Sequence, residues 1–380
     1  MAGMARTAPA SPRRASARGL GIASLRPTWP RIAVLTGIAC VVASVPRFAR
    51  PNYALEPIYT DHLQHEYSAW AFLHIGLRIF DTPKSDWGPV GAMHVHLLWE
   101  QLPSIYPPGL IAFFMPFGVA SNEGVLPDER VHMLMVMVLG AGAVLASAQL
   151  VRTLRLHYDP GIAAIVAFLG TVVFLRVGLD GFLDATAAGL ALAGIYWAER
   201  GPPGRALVAL VLALSLHYRL WYLWPFVLAF ALRHRRDVAR WQLGAAAVVA
   251  AASGITFGLS VPFVAKFHQI PHITPNPLVL SHGVHAPQAA ALAGGCVLLA
   301  LTLRFEGRTV AGCVALALLL VFAVDQWEPW YPALFVPLLA LVRARVVQVA
   351  ATLAFIEGTL YLSGFPDVLR FVHLYAAAVS

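Results

Sequence analysis

Apolar runs of near-membrane length recur along the chain, separated by short polar breaks. They occupy 31–47, 131–151, 160–178, 183–198, 205–217, 219–232, 242–263, 289–304, 309–324, 329–343 and 345–363. A helix needs about 20 mostly apolar residues to cross a bilayer. The pattern therefore predicts an all-α polytopic membrane protein with about 11 transmembrane helices. A further apolar run, 106–120, is bracketed by Pro107, Pro108 and Pro116. Between the first two spans, Leu63, Tyr67, Trp70/Ala71, His74 and Leu77 recur at helical spacing. They predict a helix over 62–80 lying in the membrane interface, inside a large first loop of 48–130.

Composition agrees with that pattern. Of 380 residues, 59% are hydrophobic and 12% charged, against about 25% charged in a soluble domain. No polar insert is long enough to form a soluble domain, so 31–380 reads as a single transmembrane domain. Residues 1–30 are basic and acid-free, and read as a disordered cytoplasmic tail; an organelle transit peptide has a similar composition. Cys40, Cys296 and Cys313 fall inside apolar runs and form no CxxC pair, which excludes a disulfide framework.

The net charge of +8 is carried by arginine, since only Lys84 and Lys266 are lysines. The arginines are spread between spans instead of gathered on one face, which argues against nucleic acid as a partner. They are better explained by topology, because cytoplasmic loops of membrane proteins are enriched in Lys and Arg. If 106–120 does not cross, Arg152/Arg155, Arg200/Arg205, Arg233/Arg235/Arg236/Arg240, Arg304/Arg308 and Arg343/Arg345 all join the tail in the cytoplasm. Most acids then face outward. The run 106–120 is accordingly expected to be a re-entrant or surface helix. A lysine-poor, arginine- and alanine-rich chain also suggests a GC-rich bacterial genome, hence a cytoplasmic (inner) membrane with its site facing outward.

That outer side collects the candidate chemistry. Asp61-His62-Leu63-Gln64-His65-Glu66 packs two acids and two imidazoles beside the first span. Asp61 and Glu66 are candidate catalytic carboxylates, because a carboxylate near a low-dielectric surface can have a raised pKa and take a proton from a hydroxyl. Asp61 equally suits the N-cap of the 62–80 helix, with Gln64 at N3 completing a capping box. His62 and His65 beside these acids suit a divalent metal, but none of the histidine pairs (His94/His96 and His282/His285 included) has a recognised ligand spacing. No cofactor is therefore assigned.

His217-Tyr218-Arg219 breaks a long apolar stretch in two, and Arg219 there suits a phosphate. Asp180, Asp184 and Glu328 suit sugar hydroxyls, with Trp327, Trp330 and Tyr331 as stacking faces. Glu357 sits inside the last span, where an acid normally faces protein or a polar path.

In order, these features resemble the GT-C superfamily, polytopic glycosyltransferases that use a polyprenyl-phosphate sugar. The acid after the first span, the long outer loop, Tyr106-Pro107-Pro108-Gly109 opening an apolar helix, Arg219, and the late Trp-Tyr pair carry the likeness. The resemblance implies a mannosyltransferase-like hexosyltransferase with Asp61 as general base, inverting the sugar. Arg219 would hold the leaving phosphate. The acceptor would be a glycolipid, glycan or protein hydroxyl at the bilayer surface. Family members often pair acids at the first-loop position, whereas Asp61 is followed by His62 and the next acid is Glu66. A transporter or flippase of a lipid-linked saccharide is the rival reading, though such folds commonly show inverted repeats and midplane charges.

Overall fold

The computed structural model describes residues 60–87, 103–104, 106–156, 158, 160–179, 181–264 and 333–334. The runs 31–47, 289–304, 309–324 and 345–363 lie outside the described residues, as do Asp180, Trp327, Glu328, Trp330, Tyr331 and Glu357. All regular structure among the described residues is helical. The helices are α1 (Thr60–Ile75), α2 (Pro108–Asn122), α3 (Asp128–Leu154), α4 (Pro160–Leu179), α5 (Asp184–Arg200), α6 (Pro203–Leu216), α7 (Trp224–Arg233) and α8 (Arg240–Val264). Two of them, α3 and α4, are long and apolar enough to cross a membrane.

Small residues set how closely α3 to α6 pack. Gly178 of α4 lies against Ala143 and the Leu139 carbonyl of α3, so those helices run antiparallel. Gly189 of α5 abuts Ala146, Gly142 abuts Thr186, and Thr153 Oγ1 donates to the Leu192 carbonyl at 3.3 Å. Helix α5 thus runs parallel to α3, and Gly194 against Leu210 brings α6 back beside it. Glycine and alanine at such contacts let backbones approach closely, which is how helices associate where no hydrophobic driving force separates them from lipid.

Gly140 faces Leu179 at the end of α4. The first three turns of α3, residues 128–139, therefore project past the α4–α5 turn by about 18 Å. Helices α1 and α2 pack against one another at this projecting end. The start of α2 rests on the last turn of α6, where Gly109 backs onto Ser215. Its other end joins α3 through a short loop in which Ser121 Oγ donates to Asp128 Oδ1 at 2.7 Å. Helix α2 thus runs from the end of α6 out to the start of α3, alongside the projecting turns of α3, and does not run the bundle's length.

Charge is biased along the same axis, although Arg130 follows the acids at one end and Glu199 and Asp237 lie among the arginines at the other. Asp128, Glu129 and Asp184 stand at the helix starts of the α1–α2 end. Arg152, Arg155, Arg200, Arg205, Arg233, Arg235, Arg236 and Arg240 gather at the opposite end. Helix dipoles favour acids at N-termini and cations at C-termini, which suits most of these positions. Arg205 and Arg240 are the exceptions, because each sits in the first turn of its helix. A preference for one side of the bundle explains them better than the dipole does.

Three expectations change. The helix predicted over 62–80 is α1 followed by a 3₁₀ turn, Gly76–Phe80, because Gly76 takes a φ of 60°. It is also no surface helix in its middle, since residues 64–71 are buried on every side. The span predicted over 219–232 is split into a 3₁₀ turn, Tyr218–Leu223, and the ten-residue α7, with Pro225 near its start.

A Cβ on Gly118 would overlap the Glu66 carbonyl and press on Trp70 Cβ. Gly118→Ala should therefore cost about 1–3 kcal/mol, the usual range for overpacking. Gly244 of α8 has nothing near enough to clash, and Gly244→Ala should be neutral or gain up to about 1 kcal/mol of helix propensity. Thermal unfolding of the two variants in detergent checks the contrast.

Candidate functional site

The polar packet begins inside α1. Asp61 is the helix's second residue, not its N-cap as the sequence pattern allowed. Nor does the capping box form, because the Gln64 amide is fully buried and neither Oε1 nor Nε2 is hydrogen-bonded. The side chains of Asp61 and His62 lie outside the described residues, but the helical backbone fixes their register. At about 100° per residue, Asp61 shares a face with Gln64, His65 and Ser68. Glu66, five positions on, is rotated about 140° away from it.

The two faces meet different parts of the molecule. His65 packs edge-on to the Tyr106 ring at 4.2 Å and lies 5.1 Å from Phe114. This brings the Asp61 face to the Tyr106-Pro107-Pro108 start of α2. Glu66 and Trp70 back onto Gly118 at the other end of α2. There Trp70 Nε1 donates to Glu123 Oε1 at 2.9 Å, and His74 Nε2 approaches the same oxygen at 3.9 Å.

Burial decides the protonation of this pair. Loss of water, and then the carboxylate of Asp128, push Glu66 up to about 8. Loss of water, aided by the ammonium of Lys84, pushes His65 down to about 3. At neutral pH both are therefore mainly uncharged, His65 as imidazole and Glu66 as carboxylic acid. The polar atoms Gln64 Oε1 and Nε2, His65 Nδ1, Glu66 Oε1 and Ser68 Oγ are all buried without a hydrogen-bond partner. Each such group costs about 1–3 kcal/mol. Packing alone gives no reason to keep four such side chains within five positions.

A second pair lies on the same end of the bundle. Asp184 in the first turn of α5 faces His217 just past α6, with Oδ1 and Nε2 3.5 Å apart and both side chains nearly buried. Antiparallel packing of α5 and α6 brings these residues together across 33 positions. His217 stacks on Tyr218 at 5.1 Å, and Trp221 Nε1 donates back to the Leu214 carbonyl at 2.9 Å, closing the turn. Since Ser215 of this corner carries Gly109, the α2 start stands beside the Asp184–His217 pair. The backbone of Arg219 lies in the same 3₁₀ turn, and its side chain is outside the described residues.

The structure thus brings His65, Tyr106, Asp184, His217 and Tyr218 to one neighbourhood and sets Glu66 on another face of α1. Among the described residues, no three His, Cys, Asp or Glu side chains converge as a metal would need. Sequence reasoning missed Lys84, which is buried with Nζ donating to the Pro103 carbonyl at 3.4 Å and lies 5.9 Å from the Trp87 ring. The available signal was its rarity as one of two lysines in an arginine-rich chain. Gln64 carried only the capping-box signal that the structure does not bear out, and Ser68 none except its register with Asp61.

What the fold and site define, among the described residues, is an all-helical bundle with two membrane-length helices and a buried polar corner at its acidic end. No protein-family model, curated protein or solved structure matches the chain.

Proposed function

We propose that the protein is a polytopic membrane glycosyltransferase of the GT-C type, with about 11 spans as the hydropathy pattern suggests. It transfers a hexose or pentose, mannose foremost, from a polyprenyl-phosphate donor to an acceptor hydroxyl on the extracytoplasmic face. One observation carries the reading. The Asp61 face of α1, the Tyr106-Pro107-Pro108 start of α2 and the Asp184–His217 pair share one end of the bundle, opposite the eight clustered arginines from Arg152 to Arg240. The confinement of α2 to that end supports an outer segment that does not cross.

In this reading Asp61 takes the proton from the acceptor oxygen as that oxygen attacks the anomeric carbon in line. The C–O bond to the phosphate breaks, and the polyprenyl phosphate leaves with the electron pair. A cation must receive that dianion. Arg219 fits by its place in the turn, and Lys84 is a second cation close enough to the His65 ring to lower its basicity. Glu66, protonated and on another face, serves as a hydrogen-bond donor or structural acid and not as a second base.

Purified protein in proteoliposomes should consume polyprenyl-phosphate mannose, glucose or arabinose and glycosylate an added acceptor. Movement of a lipid-linked saccharide across the bilayer with no donor consumed would instead make it a transporter.

A further inference from the structure

We propose that the Asp61 face of α1 is also a subsite for the hydroxyls of an uncharged sugar on the acceptor, read by Gln64, His65 and Ser68. This deepens the glycosyltransfer reading and rests on it. The acceptor is then a glycan or glycolipid sugar, not a bare alcohol or a protein hydroxyl.

Register supplies the geometry. Positions 61, 64, 65 and 68 fall within a sector of about 100° on α1. Gln64 and Ser68 are fully buried and His65 is nearly so. Gln64 Oε1 and Nε2, His65 Nδ1 and Ser68 Oγ make no hydrogen bond. Tyr106 borders the strip through its edge-on contact with His65.

Chemistry supplies the ligand class. An amide offers a donor and an acceptor, a hydroxyl offers both, and a neutral imidazole offers one of each. Such a set matches sugar hydroxyls, which also donate and accept. None of the three is the cation that a phosphate or carboxylate would need, and the Lys84 ammonium near His65 already donates to the Pro103 carbonyl. An unpaired buried polar group is costly alone but gives strong discrimination once a ligand satisfies it, because a ligand lacking the matching group leaves it unpaired.

The test uses Gln64→Leu and Ser68→Ala in full-length protein, each close to isosteric and apolar. If these groups are merely buried and idle, replacing them should leave the protein equally or more stable and change nothing else. As a subsite, each should raise KM for an alkyl mannoside acceptor by about tenfold, the equivalent of one good hydrogen bond. KM for polyprenyl-phosphate mannose and hydrolysis of that donor by water should not change. Equilibrium binding of the radiolabelled alkyl mannoside should weaken in parallel.

Folded variants with unchanged acceptor KM, or with donor KM raised equally, would overturn the subsite while leaving glycosyl transfer intact. If wild type consumes no donor yet binds the mannoside, and Gln64→Leu does not, the transfer reading falls and the subsite stands. If wild type neither consumes donor nor binds mannoside, both fall.

Discussion

Asp61→Asn should lower sugar transfer by about 10²–10⁴-fold, the range a positioned general base contributes. The amide keeps the size of the carboxylate and its hydrogen-bonding oxygen but has no basic site for the acceptor proton. The loss should appear in kcat, with KM for the polyprenyl-phosphate donor little changed, because no donor contact is removed. Glu66→Gln is the matched control. On a regular helix Glu66 lies about 140° from Asp61 and backs onto Gly118 instead of the Tyr106 start of α2. It should keep transfer within a few-fold of wild type at pH 6–7. Measuring initial rates of both variants in proteoliposomes decides the matter. Full activity in Asp61→Asn, or an equal collapse in Glu66→Gln, would remove Asp61 from its assigned role.

How far the fold could be read in the sequence follows from which physics is local. Apolar runs located α4 to within one residue and α3 to within three at each end, because lipid-length hydrophobicity is a property of the run itself. Proline stands at the observed starts Pro108, Pro160 and Pro203, where a missing N–H costs nothing. The break at His217 was also visible, and its extended backbone (φ −146°, ψ 120°) ends α6 there. Gly76 was harder, since its positive φ depends on how α1 turns back onto the bundle.

The site was legible in its residue types and illegible in its pairings. Asp184 and His217 each stood out as polar groups at apolar boundaries, yet only the antiparallel α5–α6 packing joins them. The contact of Trp70 with Glu123 spans 53 positions and depends on α1 lying along α2. The main misreading concerned Gln64 to Ser68. Polar residues beside a membrane span were expected at a wet interface, but α2 and the bundle enclose them. Periodicity could not show this, because it registers the chain's own faces and not what later segments lay over them.

That enclosure should also give Glu66→Gln a large effect on stability and its pH dependence. Glu66 has a folded pKa of about 8 against an ordinary 4.5, so between these values the folded state holds a proton that the unfolded state releases. Its contribution is complete below pH 4.5 and is lost as pH rises toward 8. His65, held at about 3 against 6.5, works in the opposite sense. Its contribution is complete above pH 6.5 and is lost as pH falls toward 3. Between 4.5 and 6.5 the folded pair holds one proton, on Glu66, and the unfolded pair also holds one, on His65. The two slopes cancel, and the pair contributes a plateau. Above 6.5 only Glu66 still titrates, and wild type should lose about 2 kcal/mol by pH 8, at about 1.4 kcal/mol per unit. A glutamine cannot release a proton from either state, so Glu66→Gln should abolish that alkaline loss and be more stable by about 3 kcal/mol at pH 7. Thermal unfolding in detergent from pH 5 to 8.5 measures both curves, and subtracting them cancels every group the proteins share. A flat difference across pH 6.5–8 would mean that Glu66 is ionised in the folded protein, and the neutral-acid role given to it would have to be abandoned.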